Sequence, residues 1–132
     1  MDFSLTDEQE LLLESVREFC DRYFTEDVIK EMYETHTMPD EIAEAYRDAG
    51  FGLMGIPEEY GGIPADHVTL GLMIEELYRS AGCNHILYQN SLDMLDICSF
   101  GTPEQIQKCV DAYMETGWPL CSLSISEPGA GS

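Results

Sequence analysis

The chain has 132 residues, 44% of them hydrophobic, which is enough for one domain with a buried core and too apolar for a disordered segment. Its 26 acidic residues against 6 Lys and Arg give a formal net charge of −20. Such a surface repels phosphate backbones and anionic lipid, so nucleic acid and a polybasic membrane contact are excluded as partners. Most of this charge is expected on solvent-facing helix surfaces, with steering of a basic partner protein as the sharper alternative.

The first helix is announced by Thr6, whose hydroxyl stands three residues before Gln9 as in a capping box, with Asp7 and Glu8 at the positive end of the helix dipole. Leu12, Val16, Phe19 and Tyr23 then recur at helical spacing and predict a helix over about 7–24. A shorter helix follows over 26–35. Pro39 restarts the chain at a first turn into DEIAEAYRDA, and Gly50 stops it. GFGLMGIPEEYGG, residues 50–62, is too rich in glycine for a helix and too apolar for a loose linker, so it reads as a buried, ordered connection. From Ala65 a third apolar stripe runs through Leu70, Met73 or Ile74, Leu77 and Ala81 to a stop at Gly82. Residues 84–99 form a further helix with Leu87, Ser91, Met94, Leu95 and Cys98 inward. The last starts at TPEQ, a second capping box with proline at its first position; it buries Ile106, Cys109, Val110, Tyr113 and Met114 and ends at Gly117. Start and stop signals therefore predict an all-α domain of about six helices over 1–117.

The remaining residues differ in kind. From Cys121 to Ser126 apolar and hydroxyl residues alternate strictly, a period of two that predicts a strand, and Pro128, Gly129 and Gly131 turn the chain out of it. No second strand of comparable quality lies upstream, so this one is orphaned. Residues 118–132 are expected to begin a truncated β-domain, with the strand ordered by a second copy of the chain.

Five cysteines, Cys20, Cys83, Cys98, Cys109 and Cys121, form no C-x-x-C pair and leave one unmatched, which argues for neither a zinc site nor a complete disulfide framework and fits a reducing cytoplasm. His36, His67 and His85 lack ligand spacing, and no metal is expected. The acidic N-terminus and the lack of an apolar run near twenty residues predict neither a secretory signal nor a membrane span.

MDFSLTDEQELLLESVREF, GFGLMGIPEEYGG, EELYRSAG, FGTPEQIQK and SISEPGAGS, in that order, resemble the acyl-CoA dehydrogenases, and within them the crotonobetainyl-CoA reductase branch. The resemblance covers essentially the whole chain. It implies an orthogonal helical N-terminal domain followed by the first strand of a missing β-domain, and a C-terminal bundle beyond. It also implies FAD, an acyl-CoA substrate, an electron-transfer flavoprotein as partner and a tetramer-type homo-oligomer for the longer protein. In the family a glutamate removes the α-proton while the β-hydrogen passes as hydride to the flavin, or the reverse in a reductase. That glutamate belongs to the C-terminal domain, so this chain is expected to be inactive alone and not to retain FAD.

By the same resemblance Leu123, Ile125, Ser126 and Gly131 fall on the flavin-contacting positions, Glu127 and Pro128 on the turn, and Ser132 on an acyl-CoA contact. The family commonly has threonine where Ser126 stands, which keeps the hydroxyl. His85, Tyr88, Gln89 and Asn90 fall on the helix lining the deep end of the acyl pocket; there they favour a short or polar acyl group, and Tyr88 would face a quaternary ammonium through cation–π attraction. On the residues alone these are helix-surface side chains with equal claim. The alternative function, from a different class, is an acidic helical protein-interaction module without cofactor, its last strand completing a partner's sheet.

Overall fold

In the computed structural model, which describes residues 4–82, 85–122 and 124–129, the chain is built of six helices. These are α1 (Asp7–Tyr23), α2 (Glu26–Thr35), α3 (Asp40–Asp48), α4 (His67–Ala81), α5 (His85–Phe100) and α6 (Pro103–Thr116). Both predicted capping boxes are made. The Thr6 hydroxyl accepts from the Gln9 amide at 3.2 Å while the Gln9 side chain accepts from the Thr6 amide, and Thr102 and Gln105 repeat the exchange. Pro39 stands one position earlier than expected, as the residue before α3, and supplies no side-chain cap.

The connection after α3 is ordered, and it is buried over residues 51–54 and at Ile56, as its composition indicates, whereas residues 57–59 and Gly61 are exposed. Gly50, at φ +79°, reverses the chain into a 3-10 turn over Phe51–Leu53, and a second such turn spans Glu58–Tyr60. The Ile63 amide donates to the Leu53 carbonyl at 2.9 Å and the Gly55 amide to the Ile63 carbonyl at 2.8 Å, which closes the loop on itself. A Cβ on Gly62 would overlap the Ile56 carbonyl, so this close approach requires glycine.

Helices α1 and α4 run side by side in the same direction, since Gln9 meets Thr69 at one end and Arg17 meets Glu76 further along. Two buried clusters result. The larger gathers Val16, Phe19, Ala43, Tyr46, Phe51, Met73 and Leu77 between α1, α3 and α4, with Leu87 reaching it from α5. The smaller holds Leu53, Ile56, Met94, Ile106, Cys109, Val110 and Tyr113 between the loop, α5 and α6. Met114, expected inside, is 49% exposed, because positions 106, 109, 110 and 113 already cover the packed face and residue 114 falls beyond its edge.

The tail departs from expectation. Among the described residues 121, 122 and 124–126 form no strand ladder, and an extended segment without a neighbouring strand cannot satisfy its own amides. Its first part is held by contacts within the chain. Gly117 caps α6 at φ +75°, Trp118 Nε1 donates to Asp40 Oδ1 at 3.0 Å, and Cys121 Sγ lies 3.7 Å from the Asp93 carbonyl oxygen. Trp118 packs on the larger cluster and Cys121 on the smaller, whereas Ile125 is 60% exposed.

Candidate functional site

The most strongly perturbed acid is Glu76, on the packed face of α4 and 5% exposed. Its carboxylate accepts from Arg17 of α1 at 3.0 Å, from Ser80 at 2.7 Å and from Arg79. Burial pushes the group up, but these hydrogen bonds and the charge of Arg17 more than reverse it and hold the carboxyl at about 2. A carboxylate so depressed and so fully engaged cannot accept a substrate proton near neutrality; it fastens α4 to α1. Sequence reasoning missed it, although the signal was present: Glu76 follows Met73 by three and precedes Leu77 by one, which places an acid on an apolar stripe.

A groove of about 660 Å³ opens between α1 and the α3–loop corner, floored by Phe19, Phe51 and Met54 and flanked by Leu12, Tyr23 and Ala49, with Glu18 and Arg22 among its polar lining. Edge-to-face packing of Phe19 on Phe51, at 5.6 Å between ring centres, keeps the floor rigid. Among the described residues no three metal-ligating side chains converge, and no helix is long and apolar enough to cross a membrane.

The residues singled out from the sequence lie in the tail and on α5. Leu123, Gly131 and Ser132 are outside the described residues, as are the side chains of His85, Tyr88, Gln89 and Asn90. Ile125 and Ser126 stand exposed, outside any helix or strand. The chain brings the two regions near each other through Cys121, which meets α5 at Asp93; Tyr88 is five residues earlier on that helix, about 7 Å along its axis. The exposed Ser126 hydroxyl and the open space around Gly129, where a Cβ would meet nothing within 4 Å, fit one edge of a flat polar ring system. They are far too little surface to enclose one.

Comparison with known proteins defines the setting. The profile of the acyl-CoA dehydrogenase N-terminal domain family matches residues 6–116. The probable acyl-CoA dehydrogenase YdiO of Escherichia coli K12 is 42% identical over all 132 residues, which make up 34% of its length. Among solved structures, the acyl-CoA dehydrogenase of Slackia heliotrinireducens superposes with a TM-score of 0.78 at 31% identity, over 98% of this chain and 34% of that one. A chain from the work on the electron transferring flavoprotein of Acidaminococcus fermentans and flavin-based electron bifurcation gives 0.74 at 30% identity, over 89% of this chain and 31% of that one. The chain thus spans about a third of the length of these relatives. With helices, loop and both capping boxes in the order the resemblance implied, the chain belongs to the acyl-CoA dehydrogenase N-terminal domain family.

Proposed function

We propose that this chain is the helical N-terminal domain of a longer FAD-dependent acyl-CoA dehydrogenase or reductase that acts at the α,β bond of an acyl-CoA thioester. The observation that carries the reading is the reach of the similarity: the family profile ends at 116, yet the likeness to YdiO continues through the tail to residue 132. That difference supports a boundary near residue 117, with 118–132 opening a second domain.

In this reading the chain's own part is positional. Ser126 offers a hydroxyl, and Leu123, Ile125 and Gly131 offer backbone, to one edge of the flavin; Ser132 and Tyr88 line the acyl-CoA side. The bound cofactor supplies the redox capacity. The proton-abstracting glutamate, the electron-transfer flavoprotein contact and a tetramer-type assembly belong to the longer protein. A polar α5 start favours a short or carnitine-type acyl group, the crotonobetainyl branch included.

Flavin absorbance and acyl-CoA-dependent dye reduction test the reading. The longer protein should be yellow and active, with crotonobetainyl-CoA compared against saturated short acyl-CoAs, while residues 1–132 alone should be colourless and inactive. In the longer protein Ser126→Ala should weaken flavin retention on the order of 5- to 150-fold, the equivalent of a buried hydrogen bond left unmade, with Ser122→Ala as control. A colourless longer protein would leave the cofactor-free interaction module in its place.

A further inference from the structure

The chain's only tryptophan stands where α6 passes into the tail, and it is bonded to a different helix from the one it follows. Its indole Nε1 donates to Asp40 Oδ1, in the first turn of α3, at 3.0 Å, and its ring packs on the larger cluster. Its amide donates to the Thr116 hydroxyl at 3.0 Å. Just before it Gly117 is buried and passes so near α3 that a Cβ there would come within 2.9 Å of the Ala43 carbonyl group. Three residues after Trp118, Cys121 Sγ donates to the Asp93 carbonyl of α5 at 3.7 Å and packs on the smaller cluster. Pro119 lies between the two contacts, with one backbone angle fixed by its ring and Trp118 restricted in turn. The start of the tail thus touches α3 at one point and α5 at another, and the piece between them is stiff.

One pinned residue leaves the chain beyond it free to pivot, whereas two pinned residues joined by a stiff piece define a direction. We propose that residues 117–121 are a two-point latch that sets the direction in which the tail leaves the helical domain, with Asp40 and Trp118 as its positioning residues. The indole bond is the stronger anchor, because a thiol is a weak donor and a carboxylate a strong acceptor. The latch itself rests on the contacts within this chain; its consequence for Ser126 rests on the flavin reading of the tail. Ser126 is exposed and stands five residues beyond the second anchor, at most roughly 17 Å of chain away. A swing of about 10° at the latch shifts a group that far out by about 3 Å, more than a hydrogen bond tolerates. Asp40, which touches neither flavin nor acyl-CoA in that reading, therefore acts on the cofactor through Trp118.

The test compares Asp40→Ala, which removes the acceptor, with Asp40→Asn, which keeps an oxygen acceptor while losing the same charge from the first turn of α3 and so separates the latch from the helix dipole. In the 132-residue chain the lone indole reports directly. Asp40→Ala should add a fast component to its fluorescence anisotropy decay. It should also speed chymotryptic cleavage of the Leu120–Cys121 bond, followed by mass spectrometry, by about 2- to 12-fold, the opening equivalent of one hydrogen bond. Asp40→Asn should stay close to wild type in both, with helical circular dichroism unchanged throughout. A fast component already present in wild type, or equal behaviour of the two variants, would overturn the latch whatever the tail binds. Trp118→Phe, which keeps a ring and loses the donor, should repeat the faster cleavage and decides the matter if Asp40→Ala fails to fold. In the longer protein Asp40→Ala should weaken flavin retention and Asp40→Asn restore it; retention untouched by a loosened latch would overturn the link to Ser126. A colourless wild-type longer protein would instead remove the flavin reading alone, with the indole and cleavage results still deciding the latch.

Discussion

The two clusters each close around a fully buried tyrosine, and the two tyrosines are treated differently. Tyr46, in the larger cluster, shares a hydrogen bond of 3.1 Å with Ser91, whose hydroxyl donates in turn to the Leu87 carbonyl. Tyr113, in the smaller, lies with its ring against Gly52 and its hydroxyl without a partner among the described residues. The larger cluster also satisfies its buried carboxylate three times over, whereas the smaller collects thiols. Polar groups with every bond made specify one arrangement; unmet ones leave a core that tolerates substitution at that point. The half of the molecule that binds α1 to α4 is thus the more tightly specified, and the half that carries the tail has more freedom to change.

The hardest way to break this contrast is to remove its aromatic centre. Phe19 is in ring contact with Tyr23, Phe24, Tyr46 and Phe51, so Phe19→Ala should cost about 3 to 5 kcal/mol in urea unfolding. Gly52 joins the clusters, between Phe51 of one and Leu53 of the other, and a Cβ there would fall within the Tyr113 hydroxyl and 2.6 Å from its Cζ. Gly52→Ala should therefore cost about 2 to 3 kcal/mol by overpacking. Adding Tyr113→Phe should restore only part of it, because the ring carbon still collides.

Acid tests the larger cluster alone. The folded value of Glu76 lies below the ordinary 4.5, so its contribution is complete above about pH 4.5 and is lost as pH falls toward 2. With half-exposed arginine partners, screening limits this to on the order of 1 to 2 kcal/mol. The stability gap between wild type and Glu76→Gln, followed by denaturant titration, should shrink from pH 6 to pH 3; a constant gap would show that the carboxylate's charge contributes nothing. The finest distinction is between the tyrosines themselves. Tyr46→Phe should destabilise by about 0.5 to 1.5 kcal/mol, while Tyr113→Phe should be neutral or stabilising by about 1 kcal/mol, and equal losses would erase the comparison.

Much of this was legible in the sequence, because the signals were local. TDEQ and TPEQ fixed two helix starts through bonds that span three residues, and Gly50, Gly82 and Gly117 marked stops at positive φ. The failures needed knowledge of neighbours. Alternation over 121–126 reads as a strand wherever a partner exists, and none pairs with 121, 122 or 124–126 among the described residues. Glu76 was visible as an acid on an apolar stripe, but its meaning depends on Arg17, 59 residues earlier, across a helix pair that no local pattern announces. Of the candidate cofactor residues, Ile125 and Ser126 are exposed, and their role is proposed from the resemblance.

The pairing of α1 with α4 also sets a schedule. Their contacts join residues 59 and 60 positions apart, so α1 leaves the ribosome long before its partner has been made. At roughly 5 to 20 residues per second that interval is on the order of 3 to 12 s. Throughout it Val16, Phe19 and Cys20 have no surface to bury against, and the acidic residues that alternate with them, Glu10, Glu14, Glu18 and Asp21, are what keep the waiting helix apart from other nascent chains. The negative charge of this protein is thus spent as much on the seconds of its making as on its finished surface.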